Sequence, residues 1–462
     1  MKNDPKNYKI PVAFIFFALL ALLGAVIIGC IAAFQFIYPG FASGLGFVKS
    51  RPLHVSLAVA WIFLSAVGGI YYYLPRFNGL KWFSTRWPLW QLIIILTSGT
   101  GIIFCYVNGI FGGREYWEHP AWFAIPIIIS WLLLLVNFFK TIFKATEKWP
   151  VYYWMWATGI LFFLLTFLES NLWIFPYFRD HLVRDLTVQW KSYGALVGSW
   201  NMLVYGTAVF MAEKLSGDSA AARSRTAFLL YFLGFANLLF GWAHHTYTVP
   251  SASWVRNISY VVSMSELIIL ARLIWNIRKT IRQSAPMFHQ LAARFLFAAD
   301  MWIFLNLFVA LLISIPAINL YTHGTHVTVA HAMGSAIGIN TMILLSSCVF
   351  IAGDQSEKIA ARFKKTVTIG LIISNISLLI FWISLLWAGV EKGYHMVKDG
   401  MSFQSAMQGI EPQLKLFAFS GLGLLTGFCC MLFPVLFFLL KTILIKNNKK
   451  YAPDHFSREE FG

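Results

Sequence analysis

Tyr321-Thr-His-Gly-Thr-His-Val-Thr-Val-Ala-His331-Ala-Met333 begins polar and histidine-dense, then runs straight into an apolar stretch that ends at Ile351. Ionisable or ligand-type side chains at membrane depth are costly enough to be functional candidates by default. His331 and Met333 are two residues apart, which on an α-helix is about 200° of rotation, so their side chains leave opposite faces. Each can serve a different metal centre, and one helix can stand between two hemes.

The rest of the chain supplies the membrane. Of 462 residues, 58% are hydrophobic and 12% charged, the composition of a polytopic membrane protein. Twelve apolar spans are expected near 11–36, 53–75, 88–110, 121–144, 152–178, 187–214, 224–247, 254–278, 292–317, 323–352, 365–392 and 412–445, each able to cross a core roughly 30 Å thick. The fold class is therefore all-α: one twelve-helix transmembrane domain over residues 1–462, without a sizeable extramembrane part or an internal repeat. Pro39-Gly40, Pro52, Pro75, Pro120, Pro150 and Pro250 mark places where helices should stop. The first span is expected to be a retained helix, since no small-residue cleavage pattern follows it.

Charge sets the orientation. With Lys2, Lys6 and Lys9 inside, the tails and even-numbered loops hold about 26 of the 36 Lys and Arg residues. The expectation is a multi-pass protein of the cell inner (cytoplasmic) membrane with both termini cytoplasmic. The net charge of +17 is spread over every inner loop, so it reads as topology and attraction to the lipid bilayer, not nucleic-acid binding. The five cysteines all fall in spans without C-x-x-C spacing and suit packing.

Six of the eleven histidines gather at one expected depth. His54 opens the second span from outside, His244 and His245 close the seventh, and His323, His326 and His331 open the tenth. Independent helices that place ligand-type residues at one level suggest a shared metal or heme layer near the outer surface. Adjacent histidines at a helix end point about 100° apart, a wedge that two imidazoles can use to grip one ion.

Together these residues resemble the catalytic subunit of the cytochrome c-dependent nitric oxide reductases, within the heme-copper oxidase superfamily (cytochrome c oxidase subunit I-like). The resemblance rests on His54, on the dihistidine, and on Thr-His-Gly-Thr-x-x-Thr-x-Ala-His from Thr322 to His331. Arg51 three before His54, the outer loop Gly113-Arg114-Glu115-Tyr116-Trp117-Glu118-His119-Pro120 and Glu266 in the eighth span add to it. It implies two b-type hemes, one low-spin and one high-spin, a non-heme iron or copper, and a calcium ion. His331 would be the proximal ligand of the high-spin heme and His54 an axial ligand of the low-spin heme. His244 and His245 would hold the non-heme metal. His323, Arg114 and Arg51 would contact heme propionates, Glu115 would ligate the calcium, and Glu266 would tune or relay protons.

Two departures stand out. The family pattern ends His-x-His, whereas this chain reads His331-Ala-Met333, so the second low-spin ligand would be a thioether, which raises the heme potential. In the sixth span the family supplies a further histidine and, four residues later, a glutamate. Here the histidine position is Tyr193 or Gly194 and the glutamate position Val197 or Gly198. Tyr193, Glu266 or water could complete a site of two imidazoles, and such a site could favour copper.

The activity this implies is reduction of two NO to N2O and water, with electrons from a membrane-anchored cytochrome c subunit that the C-x-x-C-H-less chain does not itself contain. Few ionisable residues stand mid-span, Glu169, Glu266 and Asp300 among them, which fits proton uptake from outside without pumping. The alternatives are an oxygen-reducing or NO-disproportionating relative, or a non-catalytic heme protein for electron transfer or gas sensing. A transporter fits least, because its polar residues should centre on the bilayer midplane between repeats.

Overall fold

The computed structural model describes residues 8–247, 250, 252–265, 289–355 and 357–444. The long helices are α1 Lys9–Ile37, α2 Gly46–Phe77, α3 Trp87–Val107, α4 Ala124–Ile142, α5 Val151–Ser170, α6 Leu182–Ser216 and α7 Arg225–Phe240. They continue with α8 at 253–265, α9 His289–Ser314, α10 His326–Met333, α11 Met342–Gln355, α12 Glu357–Val397 and α13 Glu411–Leu444. Among the described residues, extended pairing is confined to one isolated bridge between Arg114 and Trp117. Eleven helical segments among them are long and apolar enough to cross a membrane, at nearly the expected boundaries. The remaining expected span, 254–278, is described only over 254–265.

Three expectations are corrected. Pro52 and Pro75 do not end a helix but lie inside α2; each forgoes one backbone donor, and the flanking turns carry the helix through. The tenth span begins at His326, not 323, because Gly324 adopts φ +71 and the Thr325 side chain caps the new helix by accepting from the Val327 N–H. Glu169 is not mid-span: it stands in the last turn of α5 and pairs with Lys191.

The segment that carries His331 and Met333 is the most enclosed in the bundle. Of its most apolar window, 83% is buried, against 33% for α1 and α3. It is also irregular. Between α10 and α11 the residues Gly334–Thr341 form a π-helix, a form concentrated at functional sites. Thr341 Oγ1 supports it by donating to the Ala336 carbonyl five residues back, 2.8 Å away. Gly334 and Gly338 make room for α9, since a Cβ on Gly338 would fall on the Trp302 ring and one on Gly334 on the Asn306 side chain.

Lipid is as apolar as leucine, so close packing rather than burial from water joins these helices. The α12–α13 crossing shows it: a Cβ on Gly370 would sit 2.6 Å from the Gly427 carbonyl oxygen. At the end of α2 and α11 opposite the histidines, Arg76 grips Asp354 through Nε at 2.9 Å and Nη2 at 3.0 Å. Tyr72 donates to the same carboxylate, fixing the register of the two helices.

Candidate functional site: a histidine-lined cavity beside the central helix

A cavity of about 310 Å³ lies between α6, α7, α9 and α10 with its π-helical continuation. His244, His245 and His331 line it, and Met333 does not. The opposite-face expectation for His331 and Met333 therefore holds in the fold. Met333 packs as a partly buried residue against the main apolar core.

His244 and His245 lie in the 3-10 turn Gly241–Thr246 that extends α7. Their ring centres are 4.1 Å apart, and the Nδ1 atom of each is buried without a hydrogen-bond partner. His331 Nδ1 is orphaned in the same way. Buried polar atoms are normally satisfied, and each exception calls for an absent partner. These donor atoms suit a metal and a heme iron.

Trp190 on α6 stacks on His245 at 5.1 Å and 10° between planes. His323 stands 5.7 Å from His245, ring centre to ring centre, and 6.0 Å from Trp190. It follows the short helix Pro316–Thr322, and burial lowers its pKa below the usual histidine value, keeping the imidazole neutral. Among the described residues no three His, Cys, Asp or Glu side chains already surround one point as a metal requires.

The α6 wall decides the open register. Gly194, Val197, Gly198 and Asn201 face the cavity, whereas Tyr193 is not among the lining residues; its ring meets Tyr116 at 5.5 Å. The two glycines bring α6 hard against α7: a Cβ on Gly194 would lie 3.0 Å from Trp242 Cα, and one on Gly198 would lie 2.8 Å from Leu238 Cα. No described α6 residue offers an imidazole or a carboxylate to the cavity. Glu266 lies outside the described residues.

His54 does not line the cavity and packs against α1. Its Nδ1–H donates to the Ala25 carbonyl at 2.8 Å, which leaves Nε2 as the lone-pair nitrogen, the usual way a second partner fixes a ligating tautomer. Gly29 permits the approach, since a Cβ there would be 2.7 Å from His54 Nδ1. His54 does not open its helix: Gly46 does, so His54 sits about 12 Å of rise further in. His326 is also on this side, edge-on to Phe36 of α1 at 5.9 Å. The six histidines thus split into His244, His245 and His331 lining the cavity, His323 beside His245, and His54 and His326 toward α1.

The outer loop 113–120 forms a charged lid. Arg51 pairs with Glu115 and, at 3.0 Å, with Glu118. Gln189 reaches the second Glu115 oxygen at 3.5 Å, and Arg114 pairs with Asp185 at 3.0 Å. Burial raises the Glu118 pKa, with Arg51 acting against it. Glu115, expected to hold calcium, is here shared between Arg51 and Gln189.

Sequence reasoning singled out Asp300 but missed Trp190, Asn201, Asn237 and Asn306, all at or beside the cavity. The signal was the helical stripe 194, 197, 198, 201 on α6, which sets one polar residue below two glycines.

The sequence profile described as Cytochrome C and Quinol oxidase polypeptide I matches residues 9–437. The chain belongs to that family. A nitric oxide reductase subunit of Stutzerimonas stutzeri is 22% identical over 446 residues, covering 90% of this chain and 92% of the relative. Cytochrome c oxidase subunit 1 of Rhodobacter capsulatus is 26% identical over 426 residues, covering 82% and 75%. A cryo-EM structure of a heme-copper terminal oxidase dimer shares the fold with a TM-score of 0.71 at 13% identity, over 98% of this chain and 86% of that one. The all-α bundle is accordingly the subunit I fold of the heme-copper oxidases. Its members are oxidoreductases that bind hemes and a metal, and the chain is a multi-pass membrane protein.

Proposed function

We propose that this chain reduces two NO to N2O and water as the catalytic subunit of a nitric oxide reductase-like complex of the inner membrane. It would take electrons from a membrane-anchored cytochrome c subunit on the outer face, and both its termini would be cytoplasmic. The observation behind this reading is that His331 and the His244–His245 pair line one cavity with orphaned nitrogens, while His54 and Met333 are not among its lining residues.

A b-type high-spin heme on His331 and a non-heme iron or copper on His244 and His245 would supply two electrophilic centres facing one small space, and a low-spin heme between His54 and Met333 would supply electrons. The protein's own contribution is positional. His54 is locked in one tautomer by Ala25. The cavity's largely apolar wall confines two small molecules and limits water, so the N–N bond forms by proximity. Asp300 places a carboxyl on the α9 wall, and Glu266 is proposed with it for proton delivery. Arg51, Arg114 and His323 would hold the heme propionates, and Glu115 a calcium ion.

Dioxygen reduction is the second reading, favoured by the want of a carboxylate on the described α6 wall. Anaerobic N2O production from NO by the purified, reduced protein tests both. Sustained N2O supports NO coupling. Its absence in protein that holds both hemes, with O2 consumption in its place, supports the second.

A further inference from the structure

Lys392, near the outer end of α12, is 8% exposed, and among the described residues it is the one lysine or arginine buried so far. A buried cation is normally paired, yet no described residue gives this one an ion pair or a hydrogen bond. Its contact is the Phe403 ring, whose centre lies 4.6 Å from Nζ, and an aromatic face attracts a cation without neutralising it. The carboxylates at this end of α12 and α13 are committed elsewhere. Glu391 accepts from Gln413 at 2.7 Å and faces His395 at 3.9 Å, Asp399 pairs with His395 at 2.8 Å, and Glu411 pairs with Lys415 at 2.8 Å.

The second unsatisfied group is beside it. His326 Nδ1 is buried without a hydrogen-bond partner, and Lys392 is within electrostatic reach of that ring. The two are brought together by backbone packing. A Cβ on Gly389 would lie 2.2 Å from the Val327 nitrogen, and one on Gly393 would lie 1.8 Å from the Tyr321 carbonyl oxygen. Residues 389, 392 and 393 share one helical face, so the turn that bears Lys392 presses on the start of α10. An ammonium and an imidazole N–H are both donors to an anion, and neither has one here.

Resting on the two-heme reading above, we propose that Lys392 and His326 form a carboxylate-binding corner that holds a propionate of the low-spin heme, in addition to the residues already assigned to propionates. Two helices lead from the iron ligands of that reading to this corner. On α10, seven residues separate Met333 from His326, about 10.5 Å of rise and within about 20° of the same face. On α1, the same step leads from Gly29, which admits His54, to Phe36, which meets His326 edge-on at 5.9 Å. Both steps run outward. A propionate is the charged part of a heme and extends from the ring edge, so a carboxylate on the outward edge meets two donors that lack an acceptor. Charge-assisted hydrogen bonds of this kind are the strong ones.

The test is a redox titration of the low-spin heme in the purified holoprotein. Removing a fixed positive charge near the iron favours the oxidised form. In Lys392→Gln the reduced-to-oxidised ratio at a fixed potential should fall roughly tenfold, about 59 mV for one electron, with the carbon monoxide spectrum of the high-spin heme unchanged. Lys392→Arg should restore the potential, which a packing role would not require. Lysine stems at helix ends also snorkel toward lipid phosphate. An unmoved potential in Lys392→Gln overturns the proposal, and loss of tightly bound phospholipid from that variant would assign the corner to a lipid headgroup. Wild-type protein without a low-spin heme overturns the two-heme reading itself, so the two failures are distinct. If Lys392→Gln does not yield folded heme protein, a structure of the wild-type holoprotein decides: a propionate oxygen within hydrogen-bonding distance of Lys392 Nζ supports the proposal, and its absence overturns it.

Discussion

Two walls of the same cavity differ in what they offer a metal. On the α10 side, His331 stays on the cavity face, and Gly334 and Gly338 let α9 close behind it. On the α6 side, Gly194, Val197 and Gly198 face the cavity without a ligand atom, and α7 with its 3-10 extension lies in contact with the two glycines. A wall without ligands is here no passive gap. The neighbouring helix occupies the volume, because an interior tolerates few voids.

The largest expected effects break the retained wall. His331→Ala should remove the high-spin heme and abolish turnover, read from heme content and the carbon monoxide difference spectrum; full occupancy would mean that the cavity is not its site. His244→Ala should abolish the non-heme metal, measured by elemental analysis of the same preparation. Next comes the attempt to reverse the altered wall. Gly194→His meets Trp242 at once, so overpacking should cost about 1–3 kcal/mol and lower the thermal midpoint without raising metal content. A gain in metal affinity would show that α6 and α7 can still part.

Smaller effects sharpen the contrast between the two faces of α10. Met333→His should lower the low-spin heme potential, on the order of 0.1 V out of the roughly 0.8 V that axial ligands span, while leaving the carbon monoxide spectrum of the cavity unchanged. An unmoved potential would remove Met333 from the ligand set. The smallest effect concerns the outer lid. Burial raises the Glu118 pKa, so the native state holds this proton more tightly than the unfolded chain. Stability from this group is present below the ordinary carboxylate pKa and is lost as pH rises through the raised value. Glu118→Gln should flatten that part of the thermal-midpoint profile.

The spans were legible because hydropathy over twenty-odd residues is a strong signal, and the His331/Met333 division was legible because helical rotation is fixed. The part of the eighth span from Glu266 on lies outside the described residues. What could not be read was pairwise. The Trp190 stack on His245 and the approach of His323 join segments more than fifty residues apart, and no local pattern encodes them. The α6 register was ambiguous for a related reason: Tyr193 and Gly194 differ by one step, and only the position of Trp242 tells which faces the cavity. Pro52 misled because a membrane helix can carry a proline where neighbours satisfy the freed carbonyl.

The π-helical stretch Gly334–Thr341 carries one last implication. Widening the turn amounts to inserting about one residue, which rotates everything after it by about 100° relative to everything before. The ligand-bearing half and the half that ends at Asp354 are therefore phased independently, like two gears on a shaft joined by a slipped key. Substitutions can accumulate on the inner half without re-aiming His331 or Met333, and deletion of a single residue within the stretch would return it to a regular α-helix with both halves still facing as they do.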